Sequence, residues 1–200
     1  MWALVESGSV TKVYNKPKSL IIGEVNYPLN IFTTWSTSEL EALGIYEVEI
    51  DNSNLKDQHY YINTNQTFAF ASGKVTASYG SATAVAIADT LYTAQDETDG
   101  LGTEGELKSK GLKTIHKETI NQQAGSILSQ TDWYSIRAAD GGTAVPSSVS
   151  THRAAVRTKA NAMCVQIDGA ANVDALAALY EYNEDTPPVR PLGEFPILGA

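Results

Sequence analysis

The sequence predicts an α+β protein: an N-terminal antiparallel β domain, followed by a C-terminal helical domain and an extended Pro-rich arm. Three observations carry this. Alternating apolar residues punctuated by Gly-containing turns fill the first eighty positions. Apolar residues recur at helical spacing through most of the stretch from Leu107 to Tyr180. Pro187, Pro188, Pro191 and Pro196 then crowd the final EDTPPVRPLGEFPILGA. The domains read as 1–80, the β domain with one short helix; 81–106, a helix and an acidic hinge; 107–182, the helical domain; and 183–200, a docking arm.

Taken in order, Trp2 to Val5 and Val10 to Tyr14 flank Ser7-Gly8, a hairpin pattern that Pro17 closes. Leu20 to Ile22 and Val25 to Tyr27 flank Gly23-Glu24. Ser36 stands three residues before Glu39, a capping box for a short helix that Gly44 ends, with Leu40 and Leu43 on its buried face. Tyr46 to Ile50 alternates, placing Tyr46, Val48 and Ile50 on one face and Glu47 and Glu49 on the other. Tyr60 to Ile62 reads as a further strand. In TFAFASGKVTASY, Phe68 and Phe70 alternate before Ser72-Gly73, and Val75, Ala77 and Tyr79 alternate after it.

SATAVAIADTLY has no breaker and carries Val85, Ala88, Leu91 and Tyr92 at helical spacing, so a helix is expected there. The acid- and glycine-rich DETDGLGTEGE then reads as a hinge. Leu112, Ile115, Ala124, Ile127 and Leu128 share a helical stripe weakened by Gly111 and Gly125. Asp132 caps DWYSIRAA, and Asp140-Gly141-Gly142 stops it. Ser147 opens the strongest helix, with Val149, Arg153, Val156, Ala160, Met163 and Ile167 forming the seam of an antiparallel helix pair, and Gly169 at its end. Asn172 caps a last helix holding Val173, Leu176, Leu179 and Tyr180.

The 200 residues are 42% hydrophobic and 18% charged, enough apolar material for a core. A net charge of -9 argues against a broad nucleic-acid surface. No apolar run is long enough for a membrane span, and MWALVESGSV lacks the basic and apolar regions of a secretory signal. Cys164, the lone cysteine, excludes an intrachain disulfide and reads as a small buried hydrophobe.

Catalytic motifs are missing. His59, His116 and His152 form no local metal pair, and His116 reads as part of a lysine-rich solvated face. No G-x-S-x-G elbow exists, and the glycines of GLGTEG sit among acids that would repel a phosphate. As a calcium loop the same segment fails at its first position, Gln95, although Asp96, Asp99, Glu104 and Glu106 would supply the oxygens if a cation bound. Glu47, Glu49 and Asp51 alternate on an exposed strand face without the facing pair that glycoside hydrolysis needs. No cofactor, metal or catalytic residue is expected.

The basic residues Lys108, Lys110, Lys113, Lys117, Arg137, Arg153, Arg157 and Lys159 read as helix faces paired with nearby acids. The alternative is a docking patch for an acidic partner, such as the acidic hinge of a neighbouring copy. Arg153 falls in the apolar seam, so it either snorkels or is paired, with Asp132 and Asp140 as possible partners. Trp2, Trp35 and Trp133 read as packing residues. The arm is the strongest interaction candidate, through Pro187, Pro188, Pro191, Leu192, Phe195 and Ile197. Its removal is expected to leave the fold intact.

The order MWALVESGSVTKVY, YPLNIFTTWSTSELEALGIYEV, LYTAQDETDGLGTEGELKSKGLKTIHKETIN, DWYSIRAADGGTAVPSSVSTHRAAVRTKANAM, VDALAALYEY and RPLGEFP resembles a family of small tail-associated proteins of marine tailed bacteriophages, cyanophage-like ones especially. Its second half also resembles phage tail-fibre assembly proteins, with Asp132, Trp133, Arg137, Pro146, Arg153 and Arg157 at the matching positions. The resemblance implies a structural virion protein of the tail, fibre or baseplate, made in the host bacterial cytoplasm. Its partners would be other tail proteins and copies of itself in a cyclic oligomer, with no nucleic acid and no membrane insertion. It supplies no catalytic residue. The alternative is a tail-fibre assembly chaperone absent from the mature particle, and a remote alternative is a host-glycan hydrolase. Trp133, Arg137 and Arg157 on the helices, with the arm residues, are the expected partner contacts.

Overall fold

A computed structural model describes residues 1–199. The chain divides into two compact units, Met1–Thr83 and Ala84–Ala200.

The first unit is built on a five-stranded sheet of β1 (Trp2–Glu6), β2 (Ser9–Tyr14), β5 (Ile45–Asp51), β7 (Gln66–Ala71) and β8 (Lys74–Tyr79), in the order β2-β1-β5-β8-β7. A separate ribbon pairs β3 (Leu20–Ile22) with β4 (Val25–Tyr27). Both hairpins of the main sheet turn on Ser-Gly, with Ser7 and Gly8, and Ser72 and Gly73, all at positive φ. That geometry matches the twist of the flanking strands. The sheet curls, so that edge strands β2 and β7 approach one another.

One ladder departs from the expected antiparallel sheet. β5 and β8 run parallel, with Val48 opposite Val75 and Ile50 opposite Ala77. A parallel pair needs a long crossover, and residues 52–73, which include β6 (Tyr61–Ile62) and β7, provide it. β1 covers only Ile45–Glu47 of β5. Ile50, further along, is therefore exposed rather than on a buried face.

Successive residues of a strand point to opposite faces, and both faces of this sheet carry a core. Leu4, Tyr14 and Ile45 pack with Leu20, Ile31, Phe32 and Leu40 on one side. Ala3, Val48, Val75 and Ala77 pack with Phe68 and Phe70 on the other. The first of these is closed by two short helices. α1 (Ile31–Thr34) has no strong sequence signal. α2 (Thr37–Ala42) carries the expected Ser36/Glu39 capping box, and Leu40 and Leu43 reach the core as expected. At Gly44, with φ of +79°, a Cβ would lie 2.6 Å from the Val5 carbonyl oxygen. The Gly44 carbonyl itself accepts the Val5 N–H at 2.7 Å.

The stretch running from the end of the first unit into the second differs from expectation. No helix forms over 81–92. Only β9 (Thr83–Ala84) and β10 (Thr90–Leu91) are regular there. The backbone carbonyls are committed elsewhere: Ala86 and Ile87 accept the N–H groups of Leu112 and Lys113, and Asp89 Oδ1 accepts that of Gly111 at 2.7 Å. This stretch satisfies the unpaired donors at the start of α4 (Leu112–Ser129) instead of its own helical bonds. Gly111 is thus the residue preceding that helix, not a weak point within it.

The acidic stretch lies inside this second unit and is folded. β10 pairs with β11 (Leu107–Ser109), and the lobe between them carries α3 (Ala94–Thr98), capped by Thr93 with Asp96. Tyr92 donates to the Glu106 carbonyl and accepts from Gly105, closing the lobe.

α4 packs antiparallel on α6 (Ser147–Gly169), as three cross-contacts show: Leu128 with Arg153, Asn121 with Cys164, and Lys117 with Asp168. Val149, Val156, Ala160, Met163 and Ile167 of α6 are buried, as the seam requires. α5 (Asp132–Ala139) and α7 (Val173–Ala178) complete the unit, the latter capped by Asn172.

The Pro-rich segment is not a free extended arm. Leu192 is 0% exposed. Its N–H donates to the Leu179 carbonyl at 3.0 Å. Lys159 Nζ donates to its carbonyl at 2.8 Å, and Gln166 Nε2 to that of Pro191 at 3.1 Å. Arg190 pairs with Glu194, which also accepts from the Tyr182 hydroxyl at 2.6 Å. The segment is therefore integral to this unit, and its removal would open the core.

Candidate functional site

The expected partner contacts fall into three settings. On α5, Trp133 stacks on Tyr134 at 3.7 Å between ring centroids. The Arg137 guanidinium lies 4.9 Å from the Trp133 ring and 5.3 Å from the Tyr134 ring. Arg137 also donates to the Thr143 carbonyl, which ties it to the turn after α5. Trp133 remains 51% exposed and Ile136 61%. The rings are thus braced by a cation while their outer faces meet water.

Arg157, on α6, is exposed and, among the described residues, makes no ion pair. The arm residues form the third setting. Pro187, Pro188 and Pro191 are exposed, Leu192 is buried as described, and Phe195 is half-buried. Leu192 is therefore a structural anchor and offers nothing to a partner. Beyond it, Phe195, Pro196, Ile197 and Leu198 line a groove of about 360 Å³ with Ile127, Gln130 and His152. Ile197, at 77% exposure, is the tip.

The helical basic residues are mostly spent within the unit. Lys108 pairs with Asp96, Lys110 with Glu118, Lys117 with Asp168 and Arg153 with Asp132. Lys113 donates to the Asp168 carbonyl, and Lys159 to that of Leu192. This supports pairing over a docking patch. Arg153 is the most deeply engaged: Nη1 donates to the Leu128 carbonyl at 2.6 Å and Thr131 Oγ1 at 2.7 Å, and Nη2 to Asp132 Oδ1 at 2.8 Å.

The candidate cation oxygens are partly committed. Asp96 accepts from Lys108 and from the Thr93 N–H and hydroxyl, and the Lys108 bond foremost lowers its carboxyl to about 2. Asp99 accepts from Gln95. Among the described residues no cluster of three or more His, Cys, Asp or Glu side chains is arranged to hold a metal ion. Glu49 pairs with Lys74, and Asp51 accepts from the Ser53 N–H. Burial pushes the Cys164 thiol up, which disfavours a thiolate.

Two contacts escaped sequence reading. His116 is not part of a solvated lysine face. Its Nδ1 lies 2.7 Å from the Tyr180 hydroxyl, and the rings sit 4.9 Å apart. The Lys159 bond to the Leu192 carbonyl likewise joins residues far apart in sequence, and no local pattern could announce it. Among the described residues no helix is long and apolar enough to cross a membrane.

No family model matches the chain, and no similar curated protein or solved structure was found.

Proposed function

We propose that this chain is a structural protein of a tailed-bacteriophage virion, an adaptor in the tail, fibre or baseplate that holds a fibre or neighbouring subunits. The observation that carries its interaction role is the α5 surface, where Trp133, Tyr134 and Arg137 brace one another and Ile136 lies exposed beside them. Braced aromatic and arginine side chains are the usual anchors of protein interfaces, because they bury much area while losing little side-chain freedom. Ile197, beyond the Leu192 anchor, adds a second apolar contact at the end of the chain. The phage context rests on the sequence resemblance, and among the described residues no constellation speaks for catalysis.

The test is incorporation. Mass spectrometry of purified particles is expected to find the protein, whereas an assembly chaperone would be missing. Trp133→Ala combined with Ile136→Ser is expected to fold normally and to drop out of particles. Full incorporation of that variant would overturn the α5 assignment.

A further inference from the structure

Four of the eight helical basic residues pair with acids of their own unit, and a separate group of cations lies in the first unit. Lys12, Lys16 and Lys18 lie on β2 and the connection to β3, in a chain of net charge -9. Among the described residues none of the three makes an ion pair. Lys12 and Lys18 line a cleft of about 350 Å³ with Ser19, Ile21 and Asn26, floored by Tyr14 and Leu20. Lys18 Nζ lies 5.3 Å from the Tyr14 ring centroid. Glu6, on the neighbouring β1, is engaged by the Thr11 hydroxyl at 2.6 Å. The β3–β4 ribbon beside the cleft exposes Ile21 at 67% and also Val25.

The acidic lobe of the second unit has the opposite character. Glu104 and Glu106 are exposed and, among the described residues, unpaired, and Glu97 makes no ion pair. Leu91, Leu101 and Leu107 are exposed on the same lobe. Each surface therefore joins exposed aliphatic side chains to charge: Lys12, Lys16 and Lys18 outnumber Glu6 and the exposed Glu24 of the ribbon turn on one, acids dominate the other, and the two net charges are of opposite sign. Such complementarity attracts the right partner and rejects like-charged ones.

We propose that the lysine cleft and β3–β4 ribbon of one copy receive the acidic β10–β11 lobe of a second copy. The contact is heterologous, so repeated copies close into a ring or extend into a filament. It deepens one part of the proposed function, the holding of neighbouring subunits, by naming a second copy as the neighbour; it rests on that part alone and is read without virions.

The test uses the full chain in analytical ultracentrifugation at low and high salt. The wild type is expected to self-associate, with the association constant falling by about tenfold or more between 50 and 500 mM NaCl. One variant carries Lys12→Glu, Lys16→Glu and Lys18→Glu, and the other Glu97→Lys, Glu104→Lys and Glu106→Lys. Each alone presents two surfaces of like charge and is expected to be monomeric. Mixed in equal amounts they restore opposite charges at every contact and are expected to associate. A monomeric wild type, salt-insensitive association, or a mixture that stays monomeric would overturn the proposal. So would a lysine-cleft variant that self-associates normally while losing affinity for a DNA or RNA oligonucleotide. Loss of Trp133 would leave this association unchanged, which separates it from the α5 interface.

Discussion

Asp89 Oδ1 accepts the Gly111 N–H at 2.7 Å, across twenty-two positions of sequence. With the Ala86 and Ile87 carbonyls it supplies the first donors of α4 with partners. A helix start left without them would need water or a local cap. The Gly111 N–H is the main cause that holds the Asp89 carboxyl below the usual value of 3.8, with the Thr114 hydroxyl, Lys117 and Lys110 adding to it. A depressed folded-state value means that this contribution is complete above the ordinary carboxylate range and fades as pH falls through the folded value. Asp89→Asn is expected to lower the Tm at pH 7 and to flatten the loss of Tm between pH 5 and pH 3. Thermal melts across that range check it.

Gly111 and Gly125 are expected to respond oppositely to alanine. A Cβ at Gly111 would fall inside the backbone of Ala88, which cannot move without releasing the α4 cap. Gly111→Ala should cost about 1–3 kcal/mol. Gly125 faces open space within α4, and alanine there should stabilise by about 0.5–1 kcal/mol. Urea unfolding of the two variants decides this.

The Arg153 side chain is only 13% exposed and holds α6 to the end of α4 and the start of α5. Arg153→Met keeps much of the volume but removes three charge-assisted bonds, one of them to the Asp132 carboxylate, and leaves the Leu128 carbonyl with only the Thr131 N–H and hydroxyl. A loss of about 1.5–3 kcal/mol is expected in urea unfolding. Lysine at this position should recover only part of it, because it lacks the planar fork that reaches three acceptors.

Leu192→Ala removes a fully buried side chain and should cost about 2–5 kcal/mol. Ile197→Ala, at an exposed tip, should change stability by less than about 0.5 kcal/mol. Deletion from Pro187 onward is accordingly expected to destabilise the second unit, which circular dichroism melts would register. A truncated chain as stable as the full one would restore the picture of a detachable arm.

Local chemistry made much of this molecule legible in its sequence. The Ser-Gly pairs specify two hairpins because only a few residue types tolerate positive φ. The Ser36/Glu39 capping box and the Asn172 cap mark helix starts through bonds three residues long. The α6 seam announces a buried stripe, and the charge embedded in it, Arg153, had either to snorkel outward or to find a partner. What lay out of reach depends on residues that meet only after folding. The parallel pairing of β5 with β8 joins strands separated by a long crossover, which no local pattern encodes. SATAVAIADTLY has every local reason to be helical, yet the donors of a distant helix claim its carbonyls. The Pro-rich segment is stiff and apolar on any reading, and a sequence cannot say whether such a segment covers its own body or another's. That was settled by Leu179, Lys159 and Gln166, which bind its backbone, and by a core with room for Leu192. Periodicity and caps act over a few residues, whereas the competition for backbone partners and buried volume is decided by the whole chain at once.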